Sequence, residues 1–243
     1  MSPGVFGADR RDGLLSGVAV AVVTDDADPE GRSRLKVSFP RRDEGDGDGH
    51  WARLAVPLAG DSCGTYYQPA VGDEVLVAFG GGDPHRPFVV GSLWNGERGP
   101  PRTNENGDND VREVRSRRGH SLAFDDSEKG GITIRTEAGN EVVVDDGGER
   151  IAVSDDAGEN RIVVDSGEGT VAVEAAESID LSASEITLDG GDVRIDADRT
   201  AEVDSDGTLS LESGGQLSVK STAGLGVEST GILTIEGSLI RLN

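Results

Sequence analysis

The side chains able to do chemistry are few and scattered. Catalysis needs a nucleophile, an acid/base pair or a metal cluster held at short range. His50, His85 and His120 lie far apart in the chain. Asp125/Asp126 and Asp145/Asp146 are adjacent carboxylates, but such doublets also suit turns on a solvated face. Cys63, the single cysteine, sits in a loop-like DSCG with no histidine nearby, so neither an activated thiol nor an intrachain disulfide is expected. GGD occurs at 81–83 and 190–192, yet the calcium-binding nonapeptide GGxGxDxUx does not occur. Arg115, Arg117 and Arg118 cluster beside His120 and are expected to pair with acids at a junction rather than to bind a ligand. No catalytic site, metal site or cofactor is expected, and the chain is not expected to be an enzyme.

Composition narrows the classes further. The chain has 243 residues, with 46 Asp+Glu against 23 Lys+Arg and a formal net charge of −23. Nucleic acid is an unfavourable ligand for such a balance, because phosphate contacts draw on clustered Lys and Arg. Aromatics are 4% and Gly numbers 36, which argues against one large mixed core. The opening MSPGVFGADRRDG has no apolar signal core, and no run approaches a membrane span. Synthesis as a soluble cytosolic protein is expected.

The elements that would position these residues are strands. LLSGVAVAVVT (14–24), RLKVSFP (34–40), HWARLAVPL (50–58), DEVLVAF (73–79) and RPFVVGSLW (86–94) are alternating or continuous apolar runs between Gly/Asp/Pro clusters. Five strands over residues 14–95 fit a small barrel of the OB type. Gly72 and Asp73 suit a turn that opens a strand, with Asp73 bonding local backbone. Trp51 and Trp94 are expected in barrel packing; stacking on nucleic-acid bases would instead require basic neighbours. Residues 1–13 form an N-terminal arm. Residues 96–126 begin with a Gly/Pro/Asn-rich linker and end in a junction, RSRRGHSLAFDD (115–126).

From residue 127 to 243 the chain repeats itself. Apolar i, i+2 pairs run Ile132/Ile134, Val142/Val144, Ile151/Val153, Ile162/Val164, Val171/Val173, Ile179/Leu181, Ile186/Leu188, Val193/Ile195, Ala201/Val203, Leu209/Leu211, Leu217/Val219, Leu225/Val227, Leu233/Ile235 and Ile240/Leu242. The spacing shortens from about ten residues to about eight, a repeat architecture. Residues i and i+2 share one face of a strand, and segments such as ESGG or KSTA turn the corner. The joints look too short for a hairpin meander of broad sheets, so the chain is expected to wind as a narrow β-helix. Two modest side chains per repeat make a thin core for one chain. Three intertwined chains would pool them and advance one rung per repeat, to about 65 Å at about 4.7 Å per layer. Acids such as Asp180, Glu185, Asp196 and Glu202 point outward on that prism. The pairs from Ile179 to Ile235, except the small Ala201/Val203, are the expected trimer core. Leu239, Ile240, Leu242 and Asn243, at the bare last rung, are the expected docking floor for a tip partner.

PAVGDEVLVAFGGGDPHRPFVVGSLWNG (69–96) resembles the corresponding segment of phage baseplate assembly protein V and of the valine–glycine repeat (VgrG) spike proteins. GRSRLKVSFP (31–40), HWARLAVPLAG (50–60) and the junction at 115–126 follow in the same order. The resemblance implies an all-β chain: an N-terminal OB-fold barrel, then a C-terminal intertwined trimeric β-helix, the spike of a contractile injection machine. It implies a homotrimer, a separate hub or baseplate protein at the barrel end, a PAAR-type tip protein at the other end, and transient contact with a target membrane. Assembly in the cytoplasm into a phage-tail-like particle follows from the same resemblance. The chain departs from the family in starting its barrel almost at once and in leaving no room at 95–114 for an inserted lysozyme domain. The three histidines also form no His-x-His iron motif.

Two other classes compete. A single-chain β-solenoid adhesin or carbohydrate-binding module would offer aromatics on its coils, yet residues 127–243 contain no Trp, Tyr or Phe. A polysaccharide lyase-like enzyme would use much longer coils and a clustered Asp/Arg/Lys groove, which the repeats lack.

Overall fold

The computed structural model describes residues 17–40 and 49–241. The expected N-terminal arm lies outside the described residues, as do Leu242 and Asn243 of the expected docking floor.

Alternation builds the first body. The strands are β1 (Val18–Asp25), β2 (Leu35–Ser38), β3 (His50–Leu54), β4 (Ala59–Gly60), β5 (Cys63–Gly64), β6 (Glu74–Phe79) and β7 (Pro87–Leu93). Five of them close a barrel in the order β1-β2-β3-β7-β6. Neighbours are antiparallel, except that β3 and β7 meet in parallel with Arg53 opposite Phe88. Strand period two puts Ala21 and Val23, Leu35 and Val37, and Val75 and Val77 on the inner face, where Phe39, Ala52 and Val89 complete the buried core. Register shifts between Val23 and Asp25 and between Leu76 and Val77 supply the bends that closure requires. Architecture and strand positions agree with the five-stranded OB-type barrel expected from the sequence. The small β4–β5 hairpin, which carries the exposed Cys63, was not expected.

The strand β6 opens as the VGDE stretch suggests. Gly72 takes φ +87°, a left-handed value that favours glycine, and the Asp73 carboxylate accepts from Ala70 N at 2.8 Å. Trp94 departs from expectation: it is 71% exposed and packs in no core.

Residues 111–174 hold the main correction. The strands β8 (Val111–Arg115), β9 (Ser121–Asp125), β10 (Gly131–Arg135), β11 (Glu141–Asp145), β12 (Arg150–Ser154), β13 (Arg161–Asp165) and β14 (Thr170–Glu174) form a seven-stranded sheet in chain order. Every neighbouring pair is antiparallel. This is the meander that the joints seemed too short to allow. Four to six residues suffice because each turn is built from a left-handed position, an Asx bond or both. Gly119, Gly139, Gly158 and Gly169 have positive φ, and Asp125, Asp145, Asp155 and Asp165 each accept a backbone N–H from their own turn. In the doublets Asp125/Asp126 and Asp145/Asp146, the first residue thus ends a strand and the second begins its turn.

From residue 175 to 241 the chain carries no strand or ladder of its own among the described residues. Residues 181–243 separate as a second unit.

Candidate functional site

The period-two pattern places two apolar columns on one face of the meander. Register aligns Phe124, Ile132, Val144, Ile151, Val164 and Val171 across the strands. A second column aligns Val114, Leu122, Ile134, Val142, Val153, Ile162 and Val173. Only the head of the first column is charged: Arg112 stands opposite Phe124. Its guanidinium turns back to donate to the carbonyls of Asn109 (2.5 Å) and Val111 (3.2 Å). Many members of these columns remain exposed in the single chain, including Phe124, Ile132, Ile134, Ile151 and Val171. A contiguous apolar face of this kind is unusual on a free surface.

The opposite face is edged with charge around a central column of Ala123, Thr133, Val143, Ala152, Val163 and Ala172. Arg135 meets Glu141 at 2.5 Å, and the Arg161 fork grips Glu174 at 2.9 and 3.0 Å, each across a register pair. Glu113 is enclosed, its side chain 4% exposed, between Arg102 (3.0 Å) and Arg115 (2.6 Å). Burial pushes the Glu113 carboxyl up, but the two guanidiniums outweigh it and hold the group below the ordinary Glu range. Arg115 therefore pairs as the sequence suggested, whereas Arg117 and Arg118 hold no ion pair among the described residues.

The expected trimer core of residues 179–235 is not assembled within one chain. Ile179, Leu181, Ile186, Leu188, Val193, Ile195, Leu209, Leu211, Leu217, Val219, Leu225, Val227, Leu233 and Ile235 are 52–81% exposed. Their backbone has no ladder within the chain among the described residues. Such a stretch leaves apolar surface in water and most of its peptide groups without a ladder partner. Leu239 and Ile240 are likewise exposed.

Sequence reasoning missed a second surface, on the outside of the barrel. Arg32, Arg34, Trp51, Arg53, His85, Arg86, Pro87 and Phe88 line a cleft of about 480 Å³. Trp51 is not inside the barrel but on this outer face, with the Arg34 guanidinium 5.5 Å from its ring centre. The signal was present as alternation: Arg34/Lys36, Trp51/Arg53 and Arg86/Phe88 are outward i, i+2 pairs on three adjoining strand segments. Among the described residues no group of His, Cys, Asp and Glu could hold a metal ion.

An all-β chain with a closed five-stranded barrel and a following field of β repeats defines the class. Residues 19–94 match the family described as Type VI secretion system/phage-baseplate injector OB domain. Curated relatives agree in the same region. The type VI secretion system spike protein VgrG1a of Pseudomonas aeruginosa is 33% identical over 75 residues, 30% of this chain and 12% of that protein. VgrG4b of the same organism is 39% identical over 69 residues, 28% of this chain and 8% of that protein. The actin cross-linking toxin VgrG1 of Vibrio cholerae is 33% identical over 73 residues, 29% of this chain and 7% of that protein. The chain therefore spans about a tenth of the length of the curated relatives it matches. Its barrel is thus similar to the OB domain of baseplate and VgrG spike proteins.

Proposed function

We propose that this chain is the non-enzymatic central spike of a contractile injection machine, active as a homotrimer. One observation carries the proposal: most apolar pairs of residues 111–241 are exposed in a single chain, and after residue 174 their backbone has no ladder within that chain among the described residues. Three copies around one axis meet both needs. Three meander faces close on one another as a prism, and the eight-residue repeats supply rungs to a shared β-helix. Each Ile or Leu withdrawn from water contributes about 1.5–3 kcal/mol at full burial, so a shaft of many rungs is held along its whole length. Every strand edge then has a neighbour, which suits a shaft that must survive being driven through an envelope.

The barrels sit as a collar on a separate hub or baseplate protein. A separate tip protein seats on the last rung, around Leu239, Ile240, Leu242 and Asn243. Assembly takes place in the cytoplasm, and contact with the target membrane is transient. The test is location and consequence. Contractile particles purified from the producing cell should carry the chain at the baseplate end, and particles from a deletion strain should fail to penetrate targets. Intact, penetrating particles made without the chain would remove it from this role.

A further inference from the structure

The cleft on the barrel's outer face is a concentration of positive charge on a chain of net charge −23. Its arginines are not equivalent. Arg34 is spent: it donates to Asp28 at 2.8 and 3.1 Å and meets Glu30 at 2.9 Å. Asp28 is itself enclosed, its side chain 3% exposed, and Arg34 holds its carboxyl well below the usual carboxylate range. Arg32 meets the same Glu30 at 3.2 Å. Arg53 and Arg86 face no carboxylate within ion-pair distance among the described residues. Arg53 instead lies 5.6 Å from the centre of the Phe88 ring. That ring is seated by Gly80, where a Cβ would come within 2.9 Å of Phe88 Cε2.

We infer that this cleft is a docking site for an acidic peptide segment of a partner protein, with Arg53 and Arg86 each taking one carboxylate and Trp51 and Phe88 taking the intervening aliphatic side chain. Guanidinium forks match carboxylates in pairs, and an arginine laid on an aromatic ring has already surrendered part of its freedom. Two open guanidiniums fit two carboxylates. They are too few for the run of phosphates that a nucleic-acid strand presents, and the chain's overall charge repels such a polyanion. The inference adds the partner's chemistry at the barrel end to the proposed collar and rests on that proposal only for the partner's place in the machine.

The test uses the full chain and a short fluorescein-labelled peptide alternating Glu and Leu, read by anisotropy. A Trp94→Phe background leaves Trp51 as the sole tryptophan, so binding also reports as a change in Trp51 emission. Arg53→Ala and Arg86→Ala should each weaken binding about tenfold and together about a hundredfold, the loss of one charge-assisted pair apiece. Raising the salt should weaken the wild type more than the double variant. Arg117→Ala, which removes an unpaired arginine from the β8–β9 turn, should change nothing. Oligomeric state is measured first for every variant, so a failure of trimer assembly and a failure of this cleft are separate results. Absence of peptide binding, an equal loss in Arg117→Ala, or tighter binding of an oligothymidylate probe would overturn the inference.

Discussion

Ile134→Asp places one carboxylate per chain at the centre of the apolar face. Ile134 sits between Leu122 and Val142 in register, and 48% of its surface is still in water in the single chain. Covering the rest is worth about 1 kcal/mol per chain, from about 1.5–3 kcal/mol for complete burial, hence about 3 kcal/mol over three copies. The aspartate forfeits that gain and brings three carboxylates together. Two of them about 6 Å apart repel by about 3 kcal/mol at an effective dielectric of 20, before any cost of desolvation. A total above about 6 kcal/mol exceeds four powers of ten in the association constant. Trimer should therefore give way to separated chains at micromolar concentration, and should return as the pH falls below the aspartates' raised pKa. Thr133→Asp is the matched control. It lies one residue away on the opposite face, between Ala123 and Val143, and should leave assembly intact. Light scattering on both variants across pH decides it. An intact Ile134→Asp trimer at neutral pH, or equal disruption by Thr133→Asp, would refute the assignment of the inner face.

Further expectations follow from particular contacts. Asp28 titrates far below its unfolded value of about 3.9, so its ion pair stabilises the barrel above about pH 4 and loses effect as pH falls toward the folded value. Asp28→Asn should lower the melting temperature at pH 7 and flatten its acid limb; an unchanged pH profile would count against the pairing. Gly72→Ala forces a side chain into a left-handed backbone and toward the Arg98 guanidinium, 2.5 Å from the would-be Cβ, which disturbs the Arg98–Asp73 pair. A loss of about 1–2 kcal/mol in denaturant unfolding is expected. Deleting residues 236–243 should abolish capture of a tip partner and spare trimerisation; retained capture would move the docking floor elsewhere. Because acids such as Asp180, Glu185 and Asp196 stud the outer repeat positions, the trimer should melt higher as salt rises to where the Debye length is about 8–10 Å.

The barrel was legible because its strands alternate cleanly: Leu35, Val37 and Phe39 inward, Arg34, Lys36 and Ser38 outward. The apolar pairs were legible for the same reason. Their topology was not. Ile132/Ile134 and Val142/Val144 make one apolar face whether the chain folds back or winds on, since both put i and i+2 together. The choice lies in the turns, where Gly139 at φ +91° and the Asp155 side chain, which accepts from Glu159 N and Asn160 N, let short joints reverse the chain. Length alone hid that. Trp51, expected in barrel packing, lies on the outer face instead. Its register partner Lys36 and its neighbour Arg53 in the same strand marked it as outward.

The central claim is that three copies share one axis. Light scattering combined with small-angle X-ray scattering on the purified full chain tests it without any substitution. The expected result is a particle of three times the 25.2 kDa chain mass, much longer than it is wide. A rounded particle of a single chain mass at micromolar concentration would contradict it.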